Sequence, residues 1–218
     1  MVKDQNILII GDLHEPFCLK EYLKFCKGIY KKYKCNQVIF IGDLLDNHYS
    51  SYHETDPNGM GGGEELALAV ERLSHWYKAF PNADVTTGNH DRMIMRKAQT
   101  SNVPREWIKS YQEVLGVPKW NFVDEVIYND VLYIHGEGVT ARTKALRDGM
   151  STVQGHRHTE GYVWFNPSGY RTTFGMQVGC GMDSKSYAAA YAKHFPSPAL
   201  GCGVVLNNGK TPIYTPMI

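Results

Sequence analysis

The stretch Ile7-Leu8-Ile9-Ile10-Gly11-Asp12-Leu13-His14 determines how the chain can fold. Four consecutive apolar residues, three of them β-branched, predict a short strand that is buried on both faces. Gly11 ends this run, because glycine tolerates the sharp backbone turn that must follow. Asp12 and His14, both residue types that bind metal ions, come directly after the turn. We therefore predict a buried strand with a polar site at its carboxyl end.

A strand-like run that ends near a glycine occurs twice more in the first half of the chain. Residues 38–41 lead into Gly42, and residues 83–86 lead towards Gly88. Before and between these runs, residues 21–33 and 64–79 carry apolar side chains at helical spacing. This alternation of strands and helices predicts a mainly parallel sheet with crossover helices.

The second half of the chain contains short strand-like runs that are separated by turn residues. These runs are residues 123–128, 131–134, 152–154, 161–165, 173–178 and 204–206. Asn129-Asp130 predicts a hairpin turn, whereas residues 92–115 and 140–148 predict helices or loops. The simplest account is one domain over residues 1–218, in which two sheets pack together with helices outside.

The composition excludes several classes of protein. A formal net charge of +1 over 218 residues gives no global sign of attraction to nucleic acids or membranes. The five cysteines are odd in number and form no Cys-x-x-Cys pair, which argues against a secreted disulfide framework. The first apolar run is too short for a signal peptide, and no apolar stretch approaches the length of a membrane span. We expect a cytoplasmic protein with no membrane partner.

Polar blocks follow five of the apolar runs. They are Asp12-x-His14, Gly42-Asp43-x-x-Asp46, Gly88-Asn89-His90-Asp91, His135-Gly136 and Gly155-His156-x-His158. Ligand sites in open α/β sheets form beyond the carboxyl ends of strands, so these blocks can converge on one cleft. Carboxylate and amide oxygens together with imidazole nitrogens suit manganese, iron or zinc. Seven candidate ligands exceed the needs of one ion, which favours two ions that share a carboxylate.

These five blocks, in this order, resemble the signature of the calcineurin-like metallophosphoesterase family. The blocks run from Gly11 to His158, about two thirds of the chain. The resemblance implies a four-layer α/β/β/α sandwich. It implies a first metal site made by Asp12, His14, Asp43 and His158. It implies a second metal site made by Asp43, Asn89, His135 and His156, with Asp43 bridging. It further implies that His90 protonates the leaving oxygen and that Asp46 orients His90.

We therefore expect a hydrolase that cleaves phosphomonoesters or phosphodiesters with two divalent metal ions. Manganese is the first choice, and iron, zinc and nickel are alternatives. A DNA or RNA nuclease that uses the same centre is the second hypothesis, and a non-catalytic scaffold for protein contacts is the third. Retention of His90 and of every ligand position argues against the scaffold. The sequence leaves the natural substrate and the oligomeric state open.

Two further features concern substrate binding. Many protein phosphatases of this family have an arginine after the second Asp of the Gly-Asp-x-x-Asp block, but this chain has Asn47-His48 there. Candidate phosphate-binding groups are instead His48, Arg92 and Arg157. Residues 92–119 hold six basic and two acidic residues with aromatic residues among them. This segment predicts either a nucleic-acid partner or an ordinary solvated surface.

Overall fold

The computed structural model describes residues 4–52, 55–188 and 197–218. Eleven strands and five α-helices are found in these ranges. In chain order they are β1 (Ile7–Ile10), α1 (Tyr22–Lys32), β2 (Gln37–Phe40), α2 (Gly62–Ala79), β3 (Ala83–Thr86), α3 (Met93–Thr100), α4 (Tyr111–Leu115), β4 (Trp120–Val123), β5 (Glu125–Tyr128), β6 (Val131–Ile134), α5 (Ala141–Asp148), β7 (Ser151–Gln154), β8 (Gly161–Pro167), β9 (Thr172–Val178), β10 (Gly201–Leu206) and β11 (Thr211–Pro216). Short 3-10 helices cover His48–Ser50 and Arg105–Trp107.

The strands form two sheets. A six-stranded sheet has the order β11-β10-β1-β2-β3-β4, in which β1 to β4 are parallel and β10 and β11 are antiparallel. A five-stranded sheet has the order β5-β6-β7-β9-β8 and mixes parallel and antiparallel pairs. The predicted parallel crossovers of the first half are confirmed.

The two faces of β1 show how the sheets pack. Leu8 and Ile10 point into a core shared with α1 and α2, whereas Ile7 and Ile9 point into a second core between the sheets. Successive side chains of a strand point to opposite faces, so an uninterrupted apolar run is required where both faces are covered. Helix α5 packs on the outer face of the five-stranded sheet, where Gly175 lies against the backbone of Ala141. The four-layer α/β/β/α sandwich is therefore confirmed.

Two details of the second half differ from the sequence prediction, and a third agrees with it. The run at residues 123–128 is not one strand, because the chain leaves the first sheet after Val123 and enters the second at Glu125. Strand β11 was not predicted, since Pro212 and Pro216 argue against a strand; it lies at the sheet edge, where proline is tolerated. Asn129 and Asp130 both have positive φ, as the predicted hairpin turn requires.

Two other expectations can be compared with the fold. All five cysteines are buried, and none of them is in a disulfide within the described ranges. Within the described ranges, no helix is long and apolar enough to cross a membrane.

Candidate metal centre

The loops that follow β1, β2, β3, β6 and β7 meet at one edge of the two sheets. They bring together all seven predicted ligands: Asp12, His14, Asp43, Asn89, His135, His156 and His158. The backbone is unusual here, since His14, Asp43 and His156 have positive φ without being glycine. Such conformations cost free energy and concentrate at functional sites, where the surrounding structure holds them in place.

The first group of donors consists of Asp12, His14, Asp43 and His158, whose ligand atoms lie within 4.8 Å of one another. Nε2 of His158 lies 3.0 Å from Oδ2 of Asp12 and 3.0 Å from Nε2 of His14. Nε2 of His14 lies 3.7 Å from Oδ2 of Asp43. This is the set that the family resemblance implies for the first metal ion.

The second group consists of Asp43, His135 and His156, together with the amide oxygen of Asn89. Nε2 of His135 lies 3.2 Å from Oδ2 of Asp43 and 3.0 Å from Oδ1 of Asn89. Nδ1 of His156 lies 2.9 Å from the same Asn89 oxygen. Asp43 therefore belongs to both groups, in the position predicted for a bridging ligand.

The tautomers of two histidines show that these groups suit a cation. Nδ1 of His135 lies 2.9 Å from the carbonyl oxygen of Ile41, which can only accept a hydrogen bond, so Nδ1 carries a hydrogen. Nδ1 of His14 likewise donates to Oδ1 of Asp46 at 2.7 Å. The Nε2 atoms of both rings then face the cluster, which is the usual arrangement for a ligating histidine held by a second hydrogen bond.

The charge distribution of the donor groups also suits a cation. Oδ1 of Asp12 is buried and has no hydrogen-bond partner within the described part of the chain. Burial alone would lower the pKa of His135, but the Asp43 and Asp12 carboxylates raise it to about 10. Burial would raise the pKa of Asp43, yet the imidazoles of His135, His90 and His14 hold it well below its usual value. The cluster thus stabilises positive charge beside Asp43, and a divalent cation can replace the proton there.

A glycine fixes the position of Asp43. A Cβ atom on Gly88 would lie 2.0 Å from Oδ1 of Asp43 and 2.5 Å from its backbone nitrogen. The β3 loop can approach the carboxylate only because Gly88 has no side chain. The backbone N–H of His90 then donates to the same Oδ1 at 2.9 Å.

His90 and Asp46 lie beside the two donor groups. Nδ1 of His90 donates to the backbone carbonyl of Asp46 at 2.5 Å, whereas the Asp46 carboxylate is 4.0 Å away and binds His14 instead. Asp46 therefore contacts His90 through its backbone carbonyl, while its carboxylate holds His14. Burial would lower the pKa of His90, but the Asp43 and Asp46 carboxylates outweigh this effect and raise it. The His90 side chain keeps 17% of its surface exposed and can reach a bound molecule.

The three predicted phosphate-binding groups already have partners in the chain. Nε2 of His48 accepts the backbone N–H of Asp56 at 3.2 Å, and its Nδ1 lies 3.8 Å from Asp46. Arg92 donates to the carbonyl of Thr87 and pairs with Glu137, while Arg157 pairs with Glu160. Arg92 and Arg157 are partly exposed and have further N–H groups to offer a phosphate, whereas the His48 ring is buried.

Two buried carboxylates support the centre and were not predicted from the sequence. Asp91 accepts the backbone N–H groups of Leu45 at 3.2 Å and Gly88 at 2.9 Å, so it joins the β2 and β3 loops. Glu65 in α2 accepts the backbone N–H of His48 at 2.8 Å. It thereby holds the start of the 3-10 helix His48–Ser50, which follows the β2 loop. The final position of the Gly-Asn-His-Asp block could have indicated Asp91, but no sequence spacing indicates Glu65.

The basic segment begins beside the centre. Helix α3 starts directly after the Gly88-Asn89-His90-Asp91 block, and its Arg96 and Lys97 both lie 5.3 Å from the ring centroid of Tyr52. Tyr52 is 59% exposed, and Trp107, further along the segment, is 82% exposed. Tyr111 and Trp120 instead pack into the core and its margin.

The chain superposes on solved structures from several organisms. Vacuolar protein sorting 29 from Cryptosporidium parvum superposes with a TM-score of 0.52 at 15% identity, covering 96% of this chain and 88% of that one. The phosphoesterase YfcE from E. coli has a TM-score of 0.45 at 14% identity, covering 96% of this chain and 97% of that one. Nuclease MPE from Pseudomonas putida has a TM-score of 0.44 at 15% identity, covering 94% and 85%. The first of these similarities supports the fold alone.

Sequence comparison places the chain in a family. No curated protein matches it. The profile of the calcineurin-like phosphoesterase family matches residues 5–179. This range includes all seven predicted metal ligands and the two predicted catalytic residues, Asp46 and His90. The chain belongs to the calcineurin-like phosphoesterase family.

Proposed function

We propose that this chain is a hydrolase that cleaves phosphate esters with two divalent metal ions. Manganese is the first choice of metal. The observation that carries the proposal is the convergence of seven donor side chains into two groups that share Asp43. The family supports metal-dependent phosphoesterase chemistry in general. The paired arrangement of donors supports the more specific dinuclear centre.

Each donor group has a defined part in this proposal. Asp12, His14, Asp43 and His158 would hold one ion, and Asp43, Asn89, His135 and His156 would hold the other. Bound there, the ions would act as Lewis acids on the phosphoryl group and lower the pKa of water. Asp46 keeps His14 in its ligating orientation, and the carbonyl of Ile41 does the same for His135.

His90 is proposed as the proton donor to the leaving oxygen. Its Nδ1 is committed to the Asp46 carbonyl, so Nε2 is the atom that can carry a proton to the substrate. Its partly exposed ring lies next to both donor groups and contributes to neither of them. An ester with a basic leaving group needs this proton, whereas a good leaving group departs without it.

The test is metal-dependent turnover by the purified, metal-stripped chain. Bis-p-nitrophenyl phosphate and p-nitrophenyl phosphate would be supplied with Mn²⁺, Fe²⁺, Zn²⁺ or Ni²⁺ in separate reactions. We expect activity only with metal, and a loss of at least about 100-fold in Asp43→Asn, because both ions lose a ligand.

Asp130→Asn is the matched control. It removes the same charge at the β5–β6 turn, where positive φ suits asparagine, and it should keep full activity. Absence of turnover with every metal, despite a folded protein, would favour the scaffold hypothesis. Activity in Asp43→Asn equal to that of the unchanged chain would contradict the bridging role.

A nuclease remains the second candidate, and one observation favours it. The exposed Tyr52 ring lies against the cations Arg96 and Lys97 of α3, the helix that begins three residues after His90. Cations and aromatic rings together suit a nucleic-acid strand. Metal-dependent cleavage of a labelled single-stranded DNA, weakened in Arg96→Gln/Lys97→Gln, would support this candidate. Rates on DNA no higher than in metal-free controls would contradict it.

We also infer a reducing compartment such as the cytoplasm. Five buried thiols without a disulfide support this placement. A disulfide found in the protein isolated from its own cell would contradict it.

A further inference from the structure

Positive charge is concentrated on helix α1. Residues 20–34 contain six lysines and one glutamate, a net charge of +5, although the whole chain carries only +1. The remainder of the chain therefore nets −4. Such an imbalance creates a local positive potential that the overall charge conceals.

Four of these lysines form one row. Lys24, Lys27 and Lys31 are three or four residues apart and lie along one face of α1, Lys20 extends the row from the turn before the helix, and all four are exposed. The helical part of the row, from Lys24 to Lys31, is about 10 Å long at 1.5 Å per residue. Within residues 4–52, 55–188 and 197–218, no acidic side chain forms an ion pair with any of the four.

The lysine row borders a shallow groove. The groove has a volume of about 450 Å³ and is lined by Lys20, Leu23, Lys24, Lys27, Gly28 and Lys31. A Cβ on Gly28 would meet no atom within 4 Å, so the groove is open at that point. The lysines can therefore approach an elongated anion from several positions along its length.

We propose that this face of α1 binds the phosphate backbone of a nucleic acid. Four cations in a row match a linear polyanion, which releases its counterions when lysines neutralise its phosphates. A membrane surface fits less well, because the apolar face of α1, with Tyr22, Cys26 and Ile29, is buried in the core. Membrane-binding helices instead present large apolar side chains to the lipid.

The position of α1 suits a strand that also reaches the metal centre. Helix α1 follows the β1 loop that carries Asp12 and His14, and Lys20 stands two residues before its first residue. The row therefore begins at the end of the sheet where the centre lies and extends away from it. Binding at this face needs no hydrolysis, so the proposal stands or fails separately from the proposed enzyme activity.

The experiment compares the unchanged chain with Lys20→Gln/Lys24→Gln/Lys27→Gln/Lys31→Gln. Fluorescence anisotropy with a labelled 30-nucleotide single-stranded DNA, without divalent metal, would give Kd at several salt concentrations. We expect the variant to bind at least about tenfold more weakly. The slope of log Kd against log salt should fall by about 3, since each lost phosphate contact removes about 0.7 for a single strand.

The control removes the same charge from scattered exposed cations outside α1 and outside residues 92–119, as Lys78→Gln/Arg171→Gln/Lys185→Gln/Lys210→Gln. It should keep most of the affinity, because its cations form no row. Equal loss of DNA binding in both variants would overturn the proposal, as would binding to phosphatidylserine vesicles but not to DNA. Turnover of bis-p-nitrophenyl phosphate should be the same in both variants and the unchanged chain, so a failure of catalysis is distinguishable from a failure of binding.

Discussion

Replacing His90 by asparagine separates proton donation from metal binding. The substitution removes the imidazole but leaves the backbone N–H that donates to Asp43. The asparagine amide can still donate to the Asp46 carbonyl, so the loop should keep its shape. Because the His90 side chain is partly exposed and has no partner in the hydrophobic cores, we expect stability to change by less than about 1 kcal/mol.

The expected loss of activity depends on the leaving group. General acid catalysis contributes about 10² to 10⁴ in rate, which corresponds to about 3–5 kcal/mol of activation free energy. An alkyl phosphodiester, with a basic alkoxide to expel, should show this whole loss. Bis-p-nitrophenyl phosphate has a much less basic leaving group and should lose less than about tenfold.

The assay measures kcat for both esters and the metal content of the same samples. His75→Asn, an exposed histidine in α2, is the matched control and should behave as the unchanged chain. An equal loss of rate on both esters would refute the assignment of His90 as proton donor. Loss of an ion from the His90 variant would show instead that His90, with His14 and Asp46, forms a metal site.

Two further predictions test the surroundings of the centre. Gly88→Ala should lose at least one metal ion and most activity, because its Cβ would lie 2.0 Å from Oδ1 of Asp43. The control Gly63→Ala, whose Cβ would meet no atom within 4 Å, should keep both ions and full activity. Equal metal content in the two variants would contradict this prediction. Burial raises the pKa of Glu65 from 4.5 to about 7, so the folded chain binds this proton more tightly than the unfolded chain and stability falls as pH rises through that window. In urea unfolding, Glu65→Gln should therefore gain about 1–3 kcal/mol relative to the unchanged chain between pH 4.5 and pH 8, whereas the exposed Glu71→Gln should show no such trend. A stability difference for Glu65→Gln that is independent of pH would show that its carboxyl does not titrate in this way.

The parallel core of the fold was predictable because its signals are local. Short strand-like runs that end near glycine predicted β1, β2 and β3, and the structure has them there. Strand β11 was missed because Pro212 is unfavourable in a central strand and acceptable only at an edge. Which strand lies at an edge depends on the order of the whole sheet, which no local pattern contains.

The same limit applies to the site. The position of each block after a strand predicted that the blocks converge, and the seven candidate ligands do converge. The way they are held could not be predicted, because it depends on contacts between distant residues. Asp46 accepts a hydrogen bond from His14 with its carboxylate and one from His90 with its backbone carbonyl. Glu65 supports the β2 loop from α2, a helix further along the chain. These contacts arise from packing of the loops rather than from any repeat in the sequence.

The central claim is that two cations share Asp43. Its most direct test is the number of metal ions per chain, measured by inductively coupled plasma mass spectrometry after dialysis with Mn²⁺ and removal of free metal. We predict two ions in the unchanged chain and in Asp130→Asn, and fewer than two in Asp43→Asn. One ion or none in the unchanged chain, or two ions in Asp43→Asn, would contradict the account.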